Sequence, residues 1–135
     1  MIVVDSNVIA YCWLNGPKTA LAQRVRVADP DWRVPVLWRS EMRSILAGYL
    51  RDGSLSPIEA RRVMRQIEQA LAGCEHLVAS DAVLKMIEAT RLSAYDAEFV
   101  ALAEELSVQL VTEDRAVLKA FPLASLSMER FLASP

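Results

Sequence analysis

The sequence predicts an α/β fold in which a parallel sheet lies between layers of helices. Short apolar runs, several of them β-branched, recur at Met1–Val4, Val34–Trp38, Val108–Thr112 and Leu123–Leu126. Segments with apolar residues at helical spacing separate them. Those separations suit crossover helices, which parallel neighbours require. With 135 residues, 53% of them apolar, the chain can build one core, so residues 1–135 are read as a single domain.

Each element has a local justification. Met1–Val4 ends at Asp5 like a buried strand. Ser6 is placed to cap a helix over Asn7–Leu14, which Asn15-Gly16-Pro17 stops. A second helix covers Thr19–Val27, ahead of the turn-forming Asp29-Pro30-Asp31. After the Val34–Trp38 strand, a helix over about Ser40–Leu50 carries Met42, Ile45, Leu46, Tyr49 and Leu50 on one side and breaks at Asp52-Gly53. Ser56-Pro57-Ile58-Glu59 combines a capping serine, a proline at the first helical position and a glutamate at the third. The helix it opens, Ser56–Ala72, buries Val63, Met64, Ile67, Ala70 and Leu71. Another helix covers Asp81–Thr90, and Ser93 to Asp96 opens one with the stripe Phe99, Leu102, Ala103 and Leu106. A terminal helix is read at about Met128–Ala133.

Composition excludes several classes. Fifteen Lys and Arg against seventeen Asp and Glu give a net charge of −2, which argues against holding nucleic acid by bulk positive charge. The longest uncharged stretch, Ser6–Pro17, is far below the roughly 20 apolar residues of a membrane span. No basic start, apolar middle and small-residue cleavage site form a secretory leader. Cys12 and Cys74 lack metal-type spacing and read as buried thiols of a reducing compartment. A cytoplasmic protein with no membrane segment is expected.

The chemistry lies in the acids. In a parallel α/β sheet, the carboxyl ends of strands and the N-termini of the following helices share one edge, where ligands sit. Asp5 follows the first strand, Glu41 lies in the first helical turn after the second, and Asp114 comes two residues after Thr112. Asp96 opens the helix that feeds that last strand. Four carboxylates are therefore expected at one place. Acids in first turns commonly just complement the helix dipole. Against this, Asp96 stands three residues before Phe99 and seven before Ala103, extending the buried stripe, and Glu41 borders its own stripe four residues before Ile45. An acid ending a buried strand, as Asp5 does, needs a partner or a metal.

No Lys or Arg is placed by the pattern to neutralise the cluster, and adjacent carboxylates do not all ionise cheaply without a cation. Oxygen ligands favour Mg²⁺ or Mn²⁺, while the lone His76 is read as structural or exposed. An acidic Mg²⁺ pocket most often serves phosphoryl transfer or phosphodiester hydrolysis. There is no G-x-x-x-x-G-K-[ST] loop, no G-x-G-x-x-G turn and no nucleophile–histidine arrangement.

Four segments stand out together: Ile2-Val3-Val4-Asp5-Ser6-Asn7-Val8-Ile9, Leu37-Trp38-Arg39-Ser40-Glu41-Met42, Leu92-Ser93-Ala94-Tyr95-Asp96-Ala97 and Leu110-Val111-Thr112-Glu113-Asp114. They resemble the successive signatures of PIN domains, and most closely those of the VapC-type toxins of toxin–antitoxin pairs. The resemblance implies a PIN-like three-layer α/β/α sandwich and an endoribonuclease dependent on Mg²⁺ or Mn²⁺. It implies Asp5, Glu41, Asp96 and Asp114 as catalytic, metal-binding carboxylates, with Ser6 or Asn7 and Thr112 in support. Attack of water in line on an RNA phosphodiester, leaving a 5′-phosphate and a 3′-hydroxyl, is the implied reaction. Homodimerisation and silencing by a cognate antitoxin are the implied associations.

Arg39, Arg43 and Arg115 flank the acidic motifs and are candidate RNA contacts, while Arg61, Arg62 and Arg65 form a separate basic group. Glu113 is read as facing solvent, and Trp13, Trp32 and Trp38 as core in preference to base-stacking platforms. The helix pair Ser40–Leu50 and Ser56–Ala72 suits either antitoxin docking or packing on the sheet. Two other classes compete: a non-cleaving PIN-fold module binding RNA or protein, and a phosphate-handling receiver or phosphatase. The intact acid set disfavours the first. Ser6-Asn7 after Asp5, where a phosphatase wants Asp-x-Asp, disfavours the second.

Overall fold

The computed structural model describes residues 1–134. Five strands form one parallel sheet in the order β3-β2-β1-β4-β5. They are β1 (Ile2–Val4), β2 (Trp32–Pro35), β3 (Glu75–His76), β4 (Leu110–Val111) and β5 (Ser125–Leu126). Eight helices among the described residues connect them: α1 (Ser6–Trp13), α2 (Thr19–Ala28), α3 (Trp38–Arg51), α4 (Pro57–Ala70), α5 (Ser80–Glu88), α6 (Ala94–Leu106), α7 (Arg115–Ala120) and α8 (Met128–Ala133). The α/β/α sandwich expected from the sequence is present. Helix α6 packs on β1, β2 and β4 and carries α5, whereas α1 packs with α2, α3 and α4, and α2 with α8.

Burial explains the layers. Val3 and Val4 of β1 have no exposed surface, and neither do Trp32 and Val34 of β2 or Val111 of β4. Strands covered on both faces read as continuous apolar runs. Trp32 and Trp38 are fully buried, and the Arg26 guanidinium lies 5.0 Å from the ring centroids of both Trp13 and Trp32. Ser56 and Glu59 form the expected reciprocal capping box, with Pro57 at the start of α4. Ser107 ends α6 at a φ of 55°, turning the chain sharply toward β4.

Several boundaries correct the sequence reading. The second strand is Trp32–Pro35, not Val34–Trp38, and Trp38 opens α3. The N–H groups of Val34 and Val36 donate to Cys74 and His76 carbonyls, while Pro35 between them has no donor to offer β1. His76 belongs to a strand that the apolar pattern did not indicate. Asp5, not Ser6, caps α1. Glu113 does not face solvent: its side chain is 12% exposed, accepts from the Met128 N–H at 3.1 Å and faces Lys18 at 3.5 Å.

Topology positions the site. The chain builds outward from β1 to β2 and β3, then returns to place β4 on the other side of β1. The crevice beyond the carboxyl ends of β1 and β4 is thus a topological switch point, where connections diverge and leave room for a ligand.

Candidate active site

Asp5 leaves β1 with extended backbone (φ −76°, ψ 157°) and caps α1. Its Oδ1 accepts from the Ser6 N–H at 2.8 Å, and its Oδ2 accepts from the Thr112 hydroxyl at 2.7 Å. Thr112 follows β4 and is fully buried. The same Thr112 oxygen accepts from the Asp114 N–H at 3.0 Å, so one hydroxyl ties two acidic segments together. Asp114 caps α7, its Oδ1 accepting from the N–H groups of Ala116 at 2.8 Å and Val117 at 3.2 Å.

The other two acids come from helix starts. Glu41 stands in the first turn of α3, and its Oε1 accepts from the Ser6 hydroxyl at 2.8 Å. Asp96 stands in the first turn of α6, where its N–H donates to the capping Ser93 hydroxyl at 3.1 Å. Asp5, Glu41, Asp96 and Asp114 line one cavity of about 320 Å³ with Ser6, Asn7, Ser44 and Ile45. The crowding has an electrostatic signature. Burial pushes the Asp5 carboxyl above its ordinary range, against the Thr112 and Ser6 hydrogen bonds, and the charges of Asp96 and Asp114 push the same way. Glu41 is raised by burial and by Asp5, Asp96 and Glu98, and Asp96 by burial and by Asp114. Glu98, also raised by burial, is an acid the sequence reading missed. The coupling of Glu98 to Glu41 crosses from α6 to α3 and is invisible to helical phase.

The donor set fits a hard divalent cation. Every polar side chain lining the cavity offers oxygen, and among the described residues no Lys, Arg or His lines it. Asn7 Oδ1 is buried without a hydrogen-bond partner, an acceptor left open beside the carboxylates. Among the described residues no three His, Cys, Asp or Glu side chains converge into a ready-made cage, so binding would require the carboxylates to draw inward.

The basic candidates fall elsewhere. Arg39 is turned away from the acids: its Nε and Nη2 donate to Glu75 at 2.7 and 2.8 Å, and its Nη1 pairs with Glu68. These partners use the donors that the sequence reading assigned to RNA, and Trp38 Nε1 joins them at Glu75 at 2.8 Å. Arg43 is exposed and donates to the Arg39 carbonyl and the Ser40 hydroxyl. Arg115 is exposed at the start of α7 and does not line the acidic cavity. Ser44, which does line it, sits one turn beyond Glu41, a spacing that could have found it.

A family model described as PIN domain matches residues 2–121. The chain belongs to the PIN domain family. This PIN domain has the fold of PAE2754 from Pyrobaculum aerophilum, with a TM-score of 0.77 at 20% identity, covering 98% of this chain and 93% of that one. It is similarly close to FitAcB from Neisseria gonorrhoeae, with a TM-score of 0.76 at 17% identity, covering 96% and 99%. A toxin–antitoxin complex from Klebsiella pneumoniae superposes with a TM-score of 0.68 at 14% identity, covering 95% and 98%. No curated protein matches the chain in sequence. Among the described residues no helix is long and apolar enough to cross a membrane.

Proposed function

We propose that this PIN domain is an endoribonuclease dependent on Mg²⁺ or Mn²⁺ and the toxin of a toxin–antitoxin pair. The meeting of Asp5, Glu41, Asp96 and Asp114 at the switch point is the observation that carries the reading. A divalent cation bound there would neutralise charge on a phosphodiester and supply an activated water. Asp5 and Glu41, with Asp96 and Asp114, are the residues to hold it. Thr112 keeps Asp5 Oδ2 in place, and Ser6 orients Glu41 Oε1. Asn7 adds a neutral oxygen to the set.

The biological setting follows the fold neighbours. One is itself a toxin–antitoxin complex, which supports a cognate antitoxin as the partner of this chain. Homodimerisation and action in the cytoplasm belong to the same reading. Incubation of the purified protein with single-stranded RNA and Mg²⁺ or Mn²⁺ tests it. Cleavage leaving 5′-phosphate ends, blocked by EDTA and restored by excess cation, is expected. Full cleavage by well-folded Asp5→Asn or Asp96→Asn would overturn the site assignment.

A further inference from the structure

The acidic cavity opens along the seam between α1 and α3. Asn7 and Ile45 line both it and a second cavity of about 460 Å³, walled by Tyr11, Leu14, Ile45 and Tyr49 with Asn15 and Lys18 at its rim. Helix spacing explains the continuity. Glu41, Ile45 and Tyr49 follow one another four residues apart on α3, as Asn7 and Tyr11 do on α1. Tyr49 therefore stands roughly 12 Å along the helix from Glu41. The Lys18 ammonium lies 5.2 Å from the Tyr11 ring centroid. A third cavity shares Leu14, Asn15 and Tyr49 with the second and brings in Arg62.

Along this seam the order is acids, then an aromatic and aliphatic slot, then cations. A nucleic acid strand presents a matching order of phosphate, base and phosphate. Aromatic walls stack bases whatever their identity, and lysine or arginine beside them tracks the backbone. The exposed amide of Asn15 can meet a base edge, which is open to reading when RNA is single-stranded. Lys18 and Arg62 stand near Glu113 and Glu59 in exposed pairings that a phosphate can displace, and continuity of the slot with the acid-lined cavity favours a nucleic acid strand over a peptide.

We propose that the slot between α1 and α3 receives the base adjoining the scissile phosphate of single-stranded RNA, stacked on Tyr49 and Tyr11. The next phosphates then fall to Lys18 and Arg62. This assignment rests on the ribonuclease reading above and extends it to substrate selection.

The test compares wild type, Tyr49→Ala and Tyr49→Phe on single-stranded RNA whose cut position has first been mapped with wild type. Matched oligonucleotides carry an abasic residue on one or the other side of the cut. Tyr49 is 36% exposed, so its truncation leaves the core intact, and thermal melts verify this. Tyr49→Ala should raise KM about ten-fold on intact RNA and leave it unchanged on one of the abasic substrates. Tyr49→Phe should keep the wild-type KM, and kcat should stay within about two-fold throughout. Equal KM for all three proteins would leave the slot to a protein occupant and overturn the proposal. An identical loss on intact and both abasic RNAs would also overturn it. Wild type unable to cut any RNA with Mg²⁺ or Mn²⁺ would instead refute the ribonuclease reading, and the proposal with it.

Discussion

At the scale of single residues, the four acids are not equivalent. Asp5 does structural work, because its two oxygens satisfy a backbone N–H and a buried hydroxyl. The Asp96 carboxyl is pushed up by burial and by the charge of Asp114, with Ser93 alone opposing, while the Asp96 N–H donates to the Ser93 hydroxyl. Asp96→Asn should therefore make the metal-free protein more stable, while Asp5→Asn trades relieved repulsion against disturbed hydrogen bonds. Thermal melts in EDTA and in Mg²⁺ distinguish the two, and both variants should lose metal-dependent RNA cleavage. A melting point of Asp96→Asn in EDTA well below wild type would show Asp96 to be a structural partner. Thr112→Val removes an acceptor from Asp114 N–H and a donor to Asp5, which should cost about 1–3 kcal/mol in urea unfolding.

The same carboxyls set a pH dependence whose sign is fixed. Asp5, Glu41 and Asp96 hold protons more tightly folded than unfolded, so the native state carries more protons above pH 4 or so. Stability of the metal-free protein must then fall as pH rises from mildly acidic toward neutral. Glu75 works oppositely, its carboxyl held down by the Arg39 hydrogen bonds. That contribution is complete above the ordinary glutamate range and is lost only in stronger acid. Urea unfolding in EDTA between about pH 5 and 7 should show the decline, and Asp96→Asn should flatten it. A rise across that window would contradict the crowded pocket.

At the scale of elements, helix starts and the apolar strands β1, β4 and β5 are legible in the sequence, whereas β3 is not and β2 is displaced. Asp96 and Glu41 announced themselves because helical phase ties them to Phe99 and Ile45. The capping box at Ser56 is local chemistry and was equally plain. Strand β3 consists of Glu75 and His76 and has no apolar alternation; its pairing with Val34 and Pro35, and the bonds from Arg39 and Trp38 to Glu75, are non-local. Trp38 reads as strand because it continues an apolar run, yet α3 needs it as a buried first-turn anchor. The partners of Arg39 are hidden for a related reason, since nothing near it in sequence reveals Glu68 and Glu75. Arg39→Gln should loosen the joint between α3 and β3 and cost about 1 kcal/mol, modest because the guanidinium is 36% exposed and screened. Ser107→Gly should have the opposite effect, relieving a left-handed residue at the end of α6 by up to about 1 kcal/mol, as denaturant midpoints would show.

At the scale of the molecule, the sheet order brings the ends of β1 and β4 side by side, and with them Asp5 and Asp114. Ligand binding there should stabilise the whole fold and not a loop. Mg²⁺ at a hundredfold excess over its Kd should add about 2.7 kcal/mol to global unfolding, reversed by EDTA. Loss of that increment in Asp5→Asn and Asp96→Asn would place the cation among these carboxylates.

The bond from Thr112 to Asp5 also has a consequence in time. It spans 107 positions of sequence, and β1 has no β4 neighbour until Leu110 and Val111 exist. Contacts so distant carry the largest loop-closure cost and form late. During synthesis β1 must wait with one edge bare until the chain has been made through Val111. Asp114 and the hydroxyl that positions Asp5 arrive only then. A nascent chain that ends before Asp114 therefore carries no assembled acidic pocket, however completely β1, β2 and β3 have formed.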